Sequence, residues 1–143
     1  MSGFLGRYEF QMDEKGRVSL PAAFRREAGG ERFILLQWEK PYLTLFPEEA
    51  WADVQKRLLE FRKTDSSAWN YVREITANAV EVSPDKQGRI LIPAWLQEAA
   101  SLQGTVVLSG VIDRVEIWNP EEFQRAIQEE AEESQRFRHQ IFG

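Results

Sequence analysis

The chain contains no cysteine, which excludes disulfide bridges and a thiol nucleophile. It has one histidine, His139, near its end, where a surface position is the expectation. No phosphate-binding Gly-x-x-x-x-Gly-Lys run and no zinc-ligand spacing occurs. No apolar stretch approaches the ~20 residues that cross a bilayer. The opening residues, Met1 to Arg7, lack the apolar segment of a signal peptide. Positive charge is also outweighed by negative. Eighteen Lys and Arg stand against 23 Asp and Glu, for a net charge of −5. That balance argues against a generally adhesive nucleic-acid binder. These absences lead us to expect a cytoplasmic protein with no cofactor, no metal, no membrane contact and no small-molecule substrate.

What is present is a duplication. Asp13-Glu14-Lys15-Gly16-Arg17-Val18-Ser19-Leu20-Pro21-Ala22 is repeated as Asp85-Lys86-Gln87-Gly88-Arg89-Ile90-Leu91-Ile92-Pro93-Ala94. Five of the ten positions are identical: Asp, Gly, Arg, Pro and Ala. The offset of 72 residues continues downstream, setting Ile34 and Leu36 on Val106 and Leu108, and Leu43 and Leu45 on Val115 and Ile117. Match and register over more than thirty residues identify an internal repeat.

Each repeat reads as strand, turn, strand, short helix, strand, strand. Tyr8, Phe10 and Met12 share one face at a period of two. Asp13 to Gly16 is a turn whose glycine permits a tight reversal. Val18 to Leu20 resumes a strand, and Pro21 precedes a short helix over 22–28 that Gly29-Gly30 stops. Residues 33–36 and 42–46 close the repeat as strands. The second copy follows the same course, with its helix over 93–100 and its closing strands at 106–108 and 115–118.

Between the copies, Pro47-Glu48-Glu49 opens a helix with acid in its first turn. Trp51, Val54, Leu58 and Phe61 lie on one side of it. Asp65 or Ser66 caps a second helix carrying Trp69, Val72 and Arg73. After the second copy, Asn119-Pro120-Glu121-Glu122 is a helix start with a capping Asn, and Phe123, Ile127 and Ala131 line one face. Beyond Glu132 we expect a charged, mobile tail. The chain thus divides into a first repeat at 4–46, a helical linker at 47–74, a second repeat at 75–118 and a C-terminal segment at 119–143. All belong to one compact domain over 1–143.

A half of ~45 residues cannot hold a core alone. Two copies pairing as one pseudo-twofold barrel can, and the pairing puts both Asp-x-x-Gly-Arg turns on one structure. Arg17 and Arg89 then offer planar forks suited to guanine O6 and N7, or to phosphate. Asp13 and Asp85, four residues earlier, are placed to orient those arginines. Lys15 supplies a phosphate contact, while its counterpart is Gln87 and Lys86 stands in the place of Glu14, so the two turns need not bind identically. Arg7, Arg25 and Arg26 extend the patch. An Asp–Arg pair across a turn serves equally to hold the turn, and duplication does not choose between these uses.

On these residues the sequence resembles the MraZ family of bacterial transcriptional regulators. The resemblance rests on Asp13–Arg17 and Asp85–Arg89, on Gly16 to Pro21 and Gly88 to Pro93, and on the helices between and after the repeats. It covers essentially the whole chain. It implies an α+β, mainly β fold: tandem copies of the swapped hairpin of AbrB-like regulators with helices after each repeat. It also implies a homo-oligomeric ring that binds double-stranded DNA at repeated upstream elements of the division and cell-wall gene cluster, in the nucleoid. Arg17 is the leading contact residue under that resemblance, with Arg89, Lys15, Asp13, Asp85, Lys86 and Arg7 as the remaining DNA-binding candidates.

The sequence admits two rival readings. Asp13 and Asp85 could form a catalytic carboxylate dyad, but the basic residues that follow each favour plain ionised carboxylates, so no enzyme is expected. An AbrB-like module or antitoxin would instead bind a protein partner through the amphipathic segment 119–142. Co-purification of a small partner would favour that reading, and elution as a large homo-oligomer would favour the ring.

Overall fold

The computed structural model describes residues 3–129 and 131–143, the side chain of Ala131 excepted. Eight strands and six helices run in the order β1 (Arg7–Gln11), β2 (Arg17–Ser19), α1 (Ala22–Ala28), β3 (Phe33–Leu36), β4 (Leu43–Pro47), α2 (Glu48–Thr64), α3 (Trp69–Ala77), β5 (Val80–Val82), β6 (Arg89–Leu91), α4 (Ala94–Ala99), β7 (Thr105–Gly110), β8 (Val115–Trp118), α5 (Pro120–Glu129) and α6 (Ala131–Phe142) among the described residues. A single 3-10 turn, Ser66–Ala68, joins α2 to α3, with the Asp65 carboxylate accepting the Ser67 N–H. Helix α3 runs through Ile75 to Ala77 before the second repeat's first strand begins.

The fold is mixed α+β with antiparallel pairing throughout, and the repeats exchange strands. Six strands form one sheet in the order β1-β7-β8-β4-β3-β5, while β2 and β6 form a separate ribbon. Replacing each strand by its repeat counterpart reverses the order and leaves it unchanged. The pseudo-twofold axis passes between Thr44 and Glu116 in the sheet, and between Val18 and Ile90 in the ribbon. Strand β1 of the first repeat pairs with β7 of the second, and β5 of the second pairs with β3 of the first. Neither half keeps its own first strand, so neither has a complete sheet without the other.

The expected barrel does not close. Strands β1 and β5 are the two edges of the sheet and do not pair with each other or with the ribbon. The turns at 13–16 and 85–88 carry the chain out of the sheet, and the three-residue ribbon strands lie across the core instead of completing a hydrogen-bonded circle.

The side-chain register also departs from a uniform offset. Leu35 stands opposite Leu45 and Leu108 stands opposite Ile117, so β3 and β7 correspond at an offset of 73 while β4 and β8 keep 72. Phe33 and Leu35, not Ile34 and Leu36, are therefore the equivalents of Val106 and Leu108. All four of Phe33, Leu35, Val106 and Leu108 face the core shared with the ribbon, whereas Ile34 and Leu36 face α2 and α3. A one-residue slip moves a strand's side chains to the other face, so the extra residue before β7 is what keeps its core set inward.

The sheet is thus a middle layer. On one side, Val18, Leu20, Ile90 and Ile92 of the ribbon segments and Phe24 and Leu96 of α1 and α4 pack against it. Phe24 meets Phe4 and Tyr8 edge-on, at ring separations of 5.6 and 5.2 Å. On the other side, Trp51, Val54, Leu58 and Ile75 cover Ile34, Leu36 and Phe46. Phe61, expected on the same helix face, is exposed instead. The second repeat's outer face is covered less fully: Phe123 of α5 stands edge-on to Trp118 at 5.6 Å, and Ile127 is exposed.

Local signals set the helix ends. Gly29 at φ +70° closes α1 with its N–H on the Arg26 carbonyl. The Asn119 side chain accepts the Glu121 and Glu122 N–H groups at 2.8 and 3.2 Å. The segment expected as a mobile tail is instead α6, supported by an Arg136–Glu133 pair one turn apart.

Candidate nucleic-acid interface

The two turns are built alike from the backbone outward. Asp13 Oδ1 accepts the N–H groups of Lys15 at 3.0 Å and Arg17 at 2.8 Å, and its Oδ2 accepts Arg17 Nε at 2.7 Å. Asp85 Oδ1 accepts Gln87 N–H at 2.9 Å and Arg89 N–H at 3.0 Å, and its Oδ2 accepts Arg89 Nε at 3.1 Å. A four-residue spacing is what allows one carboxylate to reach both the backbone and the guanidinium across the turn. Because Nε is the tethered nitrogen, the terminal nitrogens of Arg17 make no hydrogen bond among the described residues. That is the edge of the guanidinium that recognises a base or phosphate in a fork.

Strand exchange then joins the turns. The Leu20 N–H donates to the Gly88 carbonyl at 2.8 Å, and the Ile92 N–H donates to the Gly16 carbonyl at 2.9 Å. Each turn is clamped by the end of the other repeat's ribbon strand. Arg89 Nη1 also stands 3.8 Å from Asp13 Oδ2, so Arg89 spans the carboxylates of both turns. Both arginine side chains are about one-third exposed, at 33% and 28%.

The short helices brace these turns from the opposite repeat. Arg25 of α1 donates Nε to the Leu20 carbonyl at 3.1 Å and lies against Gly88. Gln97 of α4 donates to the Ile92 carbonyl at 2.7 Å and lies against Gly16. The repeat offset sets Gln97 on Arg25, so this bracing pair was readable as a correspondence, though not as a contact. Lys15 and Lys86 are exposed on their turns. Arg7 is placed apart from this cluster. It begins β1, about 20 Å of extended chain before Asp13, with its guanidinium 5.5 Å over the Phe123 ring.

Electrostatics keep both carboxylates ionised. Asp13 is held below the ordinary carboxylate value first by the Arg17 backbone N–H, with help from the Arg17 side chain. Asp85 is lowered in the same way, first by the Arg89 backbone N–H. Depressed folded-state values stabilise the turns above the ordinary range and lose that contribution as pH falls through it. Thermal melts are expected to be level near neutrality and to fall below about pH 4. The Asp13→Asn/Asp85→Asn variant is expected to melt lower at neutrality and to lose less on acidification.

With this geometry fixed, comparison with known proteins identifies the family. The family model described as "MraZ protein, putative antitoxin-like" matches residues 4–71 and again 75–140, once per repeat. The chain belongs to the MraZ family. It is 42% identical over 118 residues to "Transcriptional regulator MraZ" of Carboxydothermus hydrogenoformans, covering 82% of each chain. The protein of the same name from Caldicellulosiruptor saccharolyticus is 41% identical over 127 residues, covering 89% of this chain and 88% of that one. That of Thermoanaerobacter sp. (strain X514) is 43% identical over 117 residues, covering 82% and 81%. In this MraZ chain the duplicated Asp-x-x-x-Arg turns are the charged features that the pseudo-twofold axis brings together at the ends of one ribbon.

Proposed function

We propose that this MraZ-family chain is a transcriptional regulator that binds double-stranded DNA sequence-specifically through the turns Asp13–Arg17 and Asp85–Arg89. The observation that carries the reading is the shared mounting of the two arginines. Each is tethered at Nε by its own aspartate, and both stand at one two-stranded ribbon. The major groove admits such a ribbon, and a tethered guanidinium enters it with little orientation left to lose. Lys15 and Lys86 contact phosphate in this reading. The naming of the relatives as transcriptional regulators supports it.

The same geometry weighs against a catalytic dyad. Arg89 lies between Asp13 and Asp85, and backbone N–H donors serve both carboxylates. Two carboxylates sharing a proton require the opposite environment. No helix among the described residues is long and apolar enough to cross a membrane. We place the protein in the cytoplasm at the nucleoid.

We further propose that the chain works as a homo-oligomeric ring on repeated elements upstream of the division and cell-wall gene cluster. A subunit of net charge −5 whose two turns together carry only two arginines and two lysines binds weakly alone. Linked subunits on linked elements gain ~10²–10⁴ in avidity. Uncovered apolar side chains on the helices supply the contact surfaces: Phe61, Trp69 and Tyr71 on α2 and α3, and Ile127, Phe137 and Phe142 on α5 and α6. The same exposure on α5 and α6 supports the second reading, an antitoxin-like module that docks a protein partner there.

Gel-shift titration against the DNA upstream of the protein's own gene, with sizing of the purified chain, tests both levels. Salt-sensitive binding by a large homo-oligomer is expected. Indifference to that DNA even at low salt would contradict the regulator reading. A monomer co-purifying with a small protein would favour the antitoxin-like module.

A further inference from the structure

The ribbon's outer face holds a residue that turn chemistry does not explain. Pairing sets Arg17 opposite Leu91 and Ser19 opposite Arg89. Val18 and Ile90 between them are 0% exposed and point into the core. Strand alternation therefore puts Arg17, Ser19, Arg89 and Leu91 together on the solvent side. The pseudo-twofold axis relates Arg17 to Arg89 and Ser19 to Leu91. The arginines are matched in identity and mounting. The other pair is not: one half offers a hydroxyl, and the other an isobutyl group that is 52% exposed.

Directly opposed residues on an antiparallel pair have Cβ atoms about 4.5–5.5 Å apart, so Leu91 is the cross-strand neighbour of Arg17. Phosphate and sugar give an apolar side chain no specific partner. In the major groove, the one apolar feature of a base edge is the thymine C5 methyl. We propose that Leu91 is a specificity residue that packs on the methyl group of a thymine next to the base pair read by Arg17. The inference rests on the DNA-binding reading of the turns. Ser19 leaves the other half without such a contact, so a nearly symmetric fold reads an asymmetric element and sits on it in one orientation.

Replacing single thymines by deoxyuridine removes the methyl group and leaves the hydrogen-bonding edge intact. On the upstream duplex protected by the wild-type protein, one such replacement beside a guanine is expected to weaken binding about fourfold, the worth of one buried methyl. Leu91→Ala is expected to bind the thymine and deoxyuridine duplexes equally, and to keep the wild-type salt dependence because no charge changes. Its exposure predicts an unchanged melting temperature. If no thymine shows a penalty, or the penalty survives undiminished in Leu91→Ala, the assignment is overturned while wild-type DNA binding stands. If Leu91→Ala changes the elution size and leaves base discrimination intact, Leu91 is covered by a second copy and the assignment also falls. Wild-type indifference to the duplex would instead remove the reading on which it rests.

Discussion

Arg17→Ala is expected to weaken binding of the upstream duplex by roughly 5- to 150-fold per contact, the equivalent of the about 1–3 kcal/mol that a bidentate base contact supplies. In an assembly with several contacts made together the losses compound, and binding is expected to disappear from an ordinary titration. The turn itself is expected to survive. Two of the three bonds to Asp13 come from backbone N–H groups, which alanine at position 17 retains. The circular dichroism spectrum should therefore match wild type. Arg17→Lys separates the two uses of the side chain. Lysine keeps the charge and loses both the planar fork and the Nε tether to Asp13. Strong loss in Arg17→Lys identifies base reading, while near-full retention identifies a phosphate contact.

The second large effect is on stability and distinguishes the two turn glycines. Gly16 has φ +86° and Gly88 has φ +77°, so alanine at either adopts a strained backbone costing about 1–3 kcal/mol. The surroundings differ. A Cβ at Gly16 would stand 2.1 Å from Gln97 Nε2 and 2.8 Å from the Ile92 carbonyl oxygen. At Gly88 the nearest atom is Arg25 Cζ at 2.9 Å, the far end of a side chain that can swing away. Gly16→Ala thus adds an overpacking penalty of about 1–3 kcal/mol against backbone that the ribbon fixes. Its melting temperature is expected to fall further than that of Gly88→Ala, by roughly 3–5 °C for each additional kcal/mol. Adding Gln97→Ala to Gly16→Ala is expected to recover part of the loss, because the Ile92 carbonyl remains. Equal melting temperatures for Gly16→Ala and Gly88→Ala would contradict this account of the clamp.

Much of the architecture was legible because local chemistry is strong where elements begin and end. Pro21 and Gly29 bracket α1, and Asn119 with Pro120 starts α5, as read from the sequence. The Asp–Arg relation in each turn was legible for the same reason, since four residues of chain hold it together. The duplication itself showed that two halves share a core.

What was not legible depends on partners distant in sequence. Phe33-Ile34-Leu35-Leu36 is apolar at every position because both faces of β3 are covered. A fully apolar run carries no phase, so an offset of 72 or 73 matched it equally well. Barrel closure turned on what β1 and β5 pair with, and no local signal fixes that. Leu91 was hidden within Arg89-Ile90-Leu91-Ile92, where its neighbours at 90 and 92 are fully buried and it is not. The reach of Arg89 to Asp13 and the bracing by Arg25 and Gln97 follow from strand exchange, which sets side chains of one repeat on turns of the other.

The most direct test of the central claim is a salt series of duplex-binding titrations on wild type and the Arg17→Ala/Arg89→Ala variant. The wild-type affinity is expected to fall steeply with salt. The variant is expected to show weaker binding, a shallower salt slope and no preference for the upstream duplex over an unrelated one. A folded variant that binds the upstream duplex with wild-type affinity, slope and preference would contradict the claim that these turns read DNA.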